Sequence, residues 1–286
     1  MVNLTTCEQA KVLIAESLMD KIRQDALAEN PHLEAISFTD LQLVIRKGLE
    51  EMVRLEQIAL WHKRCNLPMT YEVARRIKAV IVVSGPGTWY QARKEDRYKE
   101  KAWAAWMDHA RLAHGVWLIR RVTEISTGKR FQGAIDTLDE RVQLIKDAIA
   151  KHGPYFIYTG REDERAAVKQ ALADPRSVIP SEKIYIIEEK IDNTVDQVKT
   201  LRLPPNLEMH SQDRVAVVAH SPQLVRMGHM LEQYHPLSPN VGIQPFPLPI
   251  PKGGIPEYPE QEIRGLLYYT FIGRDAAKAP YPYLFD

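Results

Sequence analysis

Residues 78–89 have the sequence KAVIVVSGPGTW, an apolar run that ends at a turn with two glycines. The run at 79–83 is rich in β-branched residues, and it lacks the alternation of a strand with one solvated face. It therefore predicts a strand that is buried on both faces, as in a parallel sheet between two layers of helices. The turn at 84–88 then lies at the carboxyl end of that strand.

The composition of the chain excludes several classes of function. The 286 residues carry a formal charge of +1, whereas general nucleic-acid binders usually have a strong basic excess. The two cysteines, Cys7 and Cys65, lie far apart and show no metal-ligand spacing, so we expect neither a disulfide framework nor a metal site. No apolar run approaches the ~20 residues of a membrane span, and the amino terminus lacks a signal-peptide pattern. We expect a cytoplasmic protein with no nucleic-acid or membrane partner.

The first part of the chain is predicted to be helical. Apolar residues at three- and four-residue steps predict a helix over 8–27, which Asn30-Pro31 ends. Ser37 is predicted to cap a second helix that continues through 41–58, and a short third helix is predicted at 71–77. We expect residues 1–77 to form a helical region that packs on the core, and its helices are also candidates for a homo-oligomer contact.

Strands and helices alternate through the rest of the chain. Further strands are predicted at 155–158, 183–187, 213–219 and 241–246, and helices at 137–151, 163–173, 193–200, 223–234 and 259–273. The proline-rich tract at 245–251 is expected at an edge or on the surface. The pattern predicts an α/β fold, a Rossmann-like three-layer sandwich with a mainly parallel, doubly wound sheet and an added N-terminal helical region. The α/β domain is expected to cover 78–286.

A long segment at 89–129 interrupts this alternation. Trp103, Trp106 and Trp117 have near-helical spacing, which predicts one or two helices whose tryptophans pack in the core. Because the segment follows the first strand directly, we expect it to roof the pocket at the carboxyl end of that strand.

Ligands of doubly wound sheets bind beyond the carboxyl ends of the strands, so each loop after a strand is a candidate site. After the first strand, Gly85, Gly87 and Thr88 let a ligand approach the backbone closely, and nearby amides favour an anion. The loop matches neither of the common nucleotide-binding glycine patterns. A plain tight turn is the alternative.

The loop after the second predicted strand carries Thr159, Gly160 and Arg161 before a helix. Exposed amides at a helix start and the arginine side chain both suit a phosphate or carboxylate. Acidic residues at 162 and 163 are explained by the helix macrodipole alone. Glu164 is the better candidate for a general base or a hydroxyl acceptor.

The last two loops add further polar residues. Asn193 and Thr194 either present polar groups to a ligand or cap the following helix. His220 is a candidate proton carrier, Ser221 adjoins it, and Arg226 one turn later is a candidate for holding an anionic group. A Ser-His-Asp triad is not supported, because the chain has no GxSxG elbow.

Taken together, the loops resemble those of the DUF218 family of YdcF-like proteins. The resemblance rests on VIVVSGPG, DERVQLIKDAI, YFIYTG, EDERAA, IIEEKIDNTVDQV and VAVVAHSPQLVRM, in that order, over about residues 78–235. It implies a Rossmann-like fold with a site at Arg141, Glu164, Asn193, Thr194 and Arg226, and a nucleotide-like ligand or S-adenosylmethionine as a possible cofactor. The chain departs from the family pattern at Arg161, where a second glycine is common, and at Gln223, where a histidine is common.

Three hypotheses of function follow, and one of them is an interaction protein that uses the amino-terminal helices and has a vestigial pocket. The other two concern a small-molecule ligand. The first is an enzyme that hydrolyses or transfers a group of a phosphorylated or nucleotide-like small molecule, with arginines holding the anion and Glu164 or His220 moving the proton. The second is a non-catalytic protein that binds a nucleotide or S-adenosylmethionine.

Overall fold

The computed structural model describes residues 16–84, 99–131, 138–191, 194–234, 236–237, 241–250 and 258–271. The elements of these residues are α1 (Glu16–Glu29), α2 (Phe38–Arg64), α3 (Tyr71–Ala74), β1 (Ile77–Val83), α4 (Lys99–Thr127), α5 (Leu138–His152), β2 (Tyr155–Thr159), α6 (Glu162–Leu172), β3 (Ile184–Ile186), α7 (Thr194–Lys199), β4 (Arg214–His220), α8 (Ser221–Tyr234), β5 (Gly242–Leu248) and α9 (Tyr258–Phe271). Short 3₁₀ turns at Pro31–Ala35 and Ser181–Lys183 precede α2 and β3.

The five strands form one parallel sheet in the order β3-β2-β1-β4-β5. β1 lies at its centre, with Val82 opposite Tyr158 of β2 on one side and opposite Val218 of β4 on the other. The chain runs outward from β1 to β3 and then returns to place β4 on the far side of β1, which is the doubly wound arrangement. The predicted α/β, Rossmann-like fold is confirmed, and β1 is its central strand.

Both faces of β1 and β2 are buried, as the unbroken apolar runs predict. Val80, Val82, Phe156 and Tyr158 share one face and belong to the main hydrophobic core. α4, α5 and α6 cover that face with Leu118, Ile119, Ile145, Ile149, Val168 and Leu172. Ile81 and Ile157 point to the opposite face and are 0% exposed. The sheet is therefore a central layer, which is why its strands need no polar face.

α4 lies in the segment that was predicted to contain one or two helices with tryptophans in the core. The segment at 89–129 forms one helix over Lys99–Thr127, and its described side chains pack on the sheet. Gly115 lies so close to β1 that a Cβ atom there would be 2.3 Å from Val82 Cγ2. The described part of this segment is thus a layer of the core, and Trp117 packs against that core as predicted. Residues 85–98 lie outside the described residues, so the expected roof over the pocket stays a prediction.

Two predicted helix boundaries are explained by local contacts. Ser37 caps α2, since its Oγ accepts a hydrogen bond from the Asp40 amide at 3.1 Å and donates one to Asp40 Oδ2 at 2.7 Å. Gly153 ends α5, and its amide donates to Ile149 O at 2.8 Å. A Cβ at Gly153 would lie 2.9 Å from Ile149 O, so the glycine is required by close approach to the backbone.

The junction of β4 and α8 differs from the prediction. His220 is the last residue of β4 and Ser221 the first of α8, so the predicted polar turn at 220–222 is wrong. Pro222 fits the first turn of a helix because its missing N–H would have no intrahelical partner there. β5 lies at the sheet edge, as its prolines predict, and contains Pro245 and Pro247.

The chain divides into two compact units, which differ from the predicted division at residue 77. The helical unit comprises Met1–Trp61, His220–Gln233 and Pro249–Asp286, and the sheet unit comprises His62–Ala219 and Tyr234–Leu248. In the helical unit, Lys21 of α1 pairs with Glu260 of α9 at 2.7 Å. A Cβ at Gly48 of α2 would lie 2.7 Å from Ile263 Cδ1 of α9. α1 and α2 therefore pack against α9 within the helical unit.

None of the helices in the described part of the chain combines the length and apolar character needed to cross a bilayer.

Candidate functional site

The carboxyl ends of β1, β2 and β3 lie side by side in the sheet unit. The ladder continues past the strands, because the Ser84 amide donates to Thr159 O at 3.0 Å and the Ile187 amide donates to Tyr158 O at 3.0 Å. The loops after these strands therefore start at one edge, as the parallel sheet predicts.

A buried hydrogen bond fixes the end of β1. Gln197 of α7 donates from Nε2 to Ser84 Oγ at 2.6 Å. Thr194, the first residue of α7, is 6% exposed. Thr194 was predicted either to contact a ligand or to cap this helix, whereas Gln197, which links α7 to the central strand, was not predicted. No local pattern identifies Gln197, because its partner lies 113 residues away.

The end of β2 contains an enclosed hydroxyl group and a required glycine. Thr159 is 0% exposed, and its Oγ1 has no hydrogen-bond partner within the residues that the structure describes. The next residue, Gly160, faces the Tyr158 ring, and a Cβ there would lie 2.6 Å from the Tyr158 hydroxyl oxygen. Gly160 therefore permits the turn from β2 toward α6 by leaving space for a buried aromatic ring.

Glu164 holds the amino end of α6. Its side chain is 0% exposed, and Oε2 accepts a hydrogen bond from the Arg161 amide at 2.9 Å. This is the acidic half of a capping box; Arg161 cannot supply the other half because a guanidinium group has no acceptor atom. The predicted role of Glu164 as a general base stays a prediction, and the observed contact gives this carboxylate a capping role.

Arg165 is a further residue that the sequence analysis missed. It is 7% exposed, and its Nη1 donates to Ile187 O at 2.9 Å and to Glu189 O at 2.7 Å. These bonds hold the segment after β3 against α6. A buried cation with two carbonyl acceptors is a structural clamp, and it sets the shape of the surface next to it.

Beside this clamp lies an open cleft of about 980 Å³, here named the β2–β3 cleft. Its walls are the exposed face of α6 and the segment after β3. The lining residues are Arg161, Glu162, Arg165, Ala166, Lys169, Glu188, Lys190 and Ile191. Four of these side chains are cationic and two are carboxylates, and Lys169 pairs with Glu188 at 2.6 Å. The cleft therefore carries a net positive charge at the amino end of a helix.

The residues after β4 belong to the helical unit and form a separate cluster. His220 is 1% exposed, with Nδ1 3.2 Å from Pro249 O. Ser221 donates from Oγ to Glu56 Oε2 at 2.8 Å, and the Ile250 amide donates to the same oxygen at 3.0 Å. Burial raises the pKa of Glu56 despite these two hydrogen bonds, which act in the opposite direction. Glu56 was not predicted from the sequence, because it lies 165 residues from Ser221.

Arg226 has a charged partner in the same unit. Its Nε lies 3.0 Å from Glu262 Oε2, the side chains are 17% and 5% exposed, and the guanidinium carbon lies 5.7 Å from the Tyr269 ring centre. This ion pair neutralises the charge that was predicted to hold an anion. Ligand binding by Arg226 stays a prediction, while its observed role is to join α8 and α9.

The other predicted site residues are distributed as follows. Arg141 lies exposed on the first turn of α5. Gly85, Gly87, Thr88 and Asn193 lie outside the described residues. Within the described ranges, no group of three or more histidine, cysteine, aspartate or glutamate side chains is placed to hold a metal ion.

Comparison of the chain with protein-family models, with curated proteins and with solved structures finds no match. The resemblance to the DUF218 family therefore stays a prediction.

Proposed function

We propose that this protein binds a phosphorylated small molecule in the β2–β3 cleft. The observation that supports the proposal most directly is the lining of the cleft, in which Arg161, Arg165, Lys169 and Lys190 outnumber the carboxylates of Glu162 and Glu188. The cleft also lies at the carboxyl edge of the sheet, which is the edge where doubly wound sheets bind their ligands, although the strand order reverses between β1 and β4.

The individual cations have different parts in this proposal. Arg165 is buried and holds two backbone carbonyls, and Lys169 pairs with Glu188. Arg161 and Lys190 are exposed on opposite walls, one before α6 and the other after β3. A phosphate group between them would accept hydrogen bonds from a planar guanidinium and from an ammonium group. The amino end of α6 carries the positive end of the helix dipole, which also favours a negatively charged ligand.

The shape and charge of the cleft restrict the ligand class. Its volume of about 980 Å³ admits a phosphosugar or a nucleotide. The described lining contains no aromatic side chain on which a nucleobase would stack, so a phosphosugar fits better. S-adenosylmethionine carries a sulfonium cation, which does not suit a cationic lining. We therefore expect no binding of S-adenosylmethionine in this cleft.

Isothermal titration calorimetry with a set of phosphosugars, nucleotides and sugar nucleotides tests the proposal. We expect at least one phosphosugar to bind, and the double variant Arg161→Ala/Lys190→Ala to weaken its binding at least tenfold. Loss of one charge-assisted hydrogen bond costs about 1.5–3 kcal/mol, which corresponds to a tenfold change or more. Lys129→Ala is the matched control, because it removes an exposed lysine that does not line the cleft.

Two further results would decide the extent of the proposal. Unchanged affinity in the double variant would contradict the assignment of the ligand to this cleft. Turnover of the bound phosphosugar would extend the proposal to hydrolysis or group transfer. Glu164→Gln retains an acceptor oxygen for the Arg161 amide, and we expect it to bind the ligand as the unmodified protein does.

A further inference from the structure

A second basic pocket lies at the opposite edge of the sheet, where β1 and β2 begin. It has a volume of about 280 Å³ and is here named the amino-edge pocket. Its walls come from the starts of β1 and β2, the end of α5, the last turn of α4, and the turn before β3. The lining residues are Ala74, Arg75, Ile77, Lys78, Ser126, Lys151, His152, Gly153, Pro154, Tyr155, Lys183 and Leu207.

The charged side chains that line this pocket are all basic. Arg75, Lys78, Lys151 and Lys183 contribute four positive charges, and among the residues that the structure describes no carboxylate lines the pocket. Outside the lining, Glu72 pairs with Arg75 at 2.6 Å, and Asp213 lies 3.7 Å from the Lys78 ammonium group. Glu182 also acts on Lys183, so three of the four cations have an acidic neighbour. These three carboxylates lie outside the lining, which itself keeps an excess of basic groups.

Helix dipoles do not account for this excess. α4 and α5 both end near the pocket, and each carboxyl end carries a negative charge of about half an elementary unit. Moreover, Lys78 belongs to β1 and therefore does not complement a helix end, and Lys183 ends a 3₁₀ turn of only three residues.

Lys183 is held in place at the pocket. Its Nζ donates to Gly153 O at 3.0 Å and lies 4.6 Å from the centre of the Tyr155 ring. Burial lowers the pKa of Lys183, and the nearby Glu182 acts in the opposite direction. An ammonium group that has lost part of its hydration is a stronger partner for an anion than a fully solvated one.

We propose that the amino-edge pocket is a second anion site, which takes a compact phosphate group. Its volume of about 280 Å³ is below the range typical of drug-sized ligands and accommodates inorganic phosphate or a small phosphate monoester. Arg75, Lys78 and Lys183 surround the space, and Lys151 adds an exposed charge. The near-neutral total charge of the chain argues against a long polyanion as the occupant.

Titration with inorganic phosphate, and separately with glycerol 3-phosphate, at constant ionic strength tests this proposal. The variant Lys151→Glu reverses the charge of an exposed side chain, so the fold should be retained. We expect it to weaken phosphate binding at least tenfold. Lys63→Glu is the matched control, because it reverses an exposed lysine outside the pocket and should leave the affinity unchanged. Tighter binding of glycerol 3-phosphate than of phosphate would identify a monoester as the preferred ligand.

The double variant Arg161→Ala/Lys190→Ala distinguishes this site from the β2–β3 cleft. We expect it to retain the phosphate binding that Lys151→Glu removes. The inference would be overturned if phosphate bound to Lys151→Glu as it does to the unmodified protein, or if the unmodified protein showed no saturable phosphate binding. Loss of phosphate binding in the double variant alone would also overturn it, and would support the β2–β3 cleft instead.

Discussion

Glu56 is a carboxylate whose environment makes a specific pH prediction. It is half-buried in the helical unit, where it accepts hydrogen bonds from Ser221 and from the Ile250 amide. Burial nevertheless raises its pKa above the ordinary value of 4.5, so the folded protein disfavours the charged form. A raised pKa contributes stability at low pH, and this contribution is lost as the pH rises through the folded-state pKa.

We therefore expect Glu56→Gln to change the pH dependence of unfolding. The variant remains neutral at every pH, so its stability relative to the unmodified protein should be greater at pH 7.5 than at pH 4. Urea denaturation at the two pH values measures the difference. Glu50→Gln is the control, because Glu50 is exposed on the same helix and should show no such change. An equal difference at both pH values would contradict the assigned pKa shift.

The sequence predicts the structural role of a residue where a local pattern of neighbouring residues determines that role. The end of β2 at Thr159-Gly160 and the cap at Ser37 follow from strand and helix-start signals within a few residues. The roles of Glu164 and Arg226 were not predictable in the same way. Arg226 pairs with Glu262, 36 residues later, and a sequence pattern does not show which acid will neutralise which base. Glu164 follows the capping pattern, but an arginine stands at the N-cap position where a hydroxyl or an acid usually marks it.

At the scale of elements, the contact of α4 with β1 depends on Gly115. A Cβ atom there would approach Val82 Cγ2 to 2.3 Å, and Val82 is 1% exposed in the core. Overpacking of this kind typically costs about 1–3 kcal/mol. Gly115→Ala should therefore lower the free energy of unfolding by about 2 kcal/mol, as measured by urea denaturation.

A compensating variant makes this prediction specific to the contact. Val82→Ala removes Cγ2, so we expect Gly115→Ala to cost less in the Val82→Ala background than in the unmodified protein. Two independent sites would show additive effects, whereas residues in contact show an interaction energy of about 0.5–3 kcal/mol. Strict additivity would indicate that α4 does not pack on β1 through these two residues.

The elements themselves were largely predictable, and their packing was less so. The buried strands of a parallel sheet have continuous apolar runs, which is why β1, β2 and β4 stand out in the sequence. α4 was predicted to be helical with tryptophans in the core, but the face that meets the sheet was not predicted. Its buried residues Leu112, Leu118, Ile119 and Val122 share one face. Ala113, Val116 and Trp117 are apolar on other sides of the helix, so the sequence pattern does not show which face meets the sheet.

For the whole molecule, the division into units depends on contacts between distant parts of the chain. α1 and α9 are joined by the ion pairs of Arg264 with Asp25 and Glu29, at 3.3 and 3.2 Å. These residues lie more than 230 positions apart, as the separation of 239 between Arg264 and Asp25 shows. Charged residues at such distances have no pattern that marks them as partners, so the sequence suggested a continuous amino-terminal region instead.

Buried histidines make both units sensitive to acid. His229 of the helical unit is 3% exposed, with Nε2 3.4 Å from Thr270 Oγ1, and burial lowers its pKa from 6.5 to about 4. In the sheet unit, burial and then the charge of His62 lower the pKa of His114 to about 4. A lowered pKa means that the unfolded chain binds the proton more tightly. The neutral histidine therefore contributes its full stabilisation of the folded protein above pH 6.5, and this contribution is lost as the pH falls toward 4.

The expected loss for His229 is about 3 kcal/mol between pH 7.5 and pH 4, because each pKa unit corresponds to about 1.4 kcal/mol. His229→Gln cannot gain a proton, so the free energy of unfolding of this variant should fall less over that range. His32→Gln, at an exposed position, serves as the control and should retain the full loss. Glu56 changes stability in the opposite direction over part of this range, so the test compares the pH slopes of the two variants with the slope of the unmodified protein. Equal slopes in His229→Gln and His32→Gln would show that His229 is not held neutral by burial.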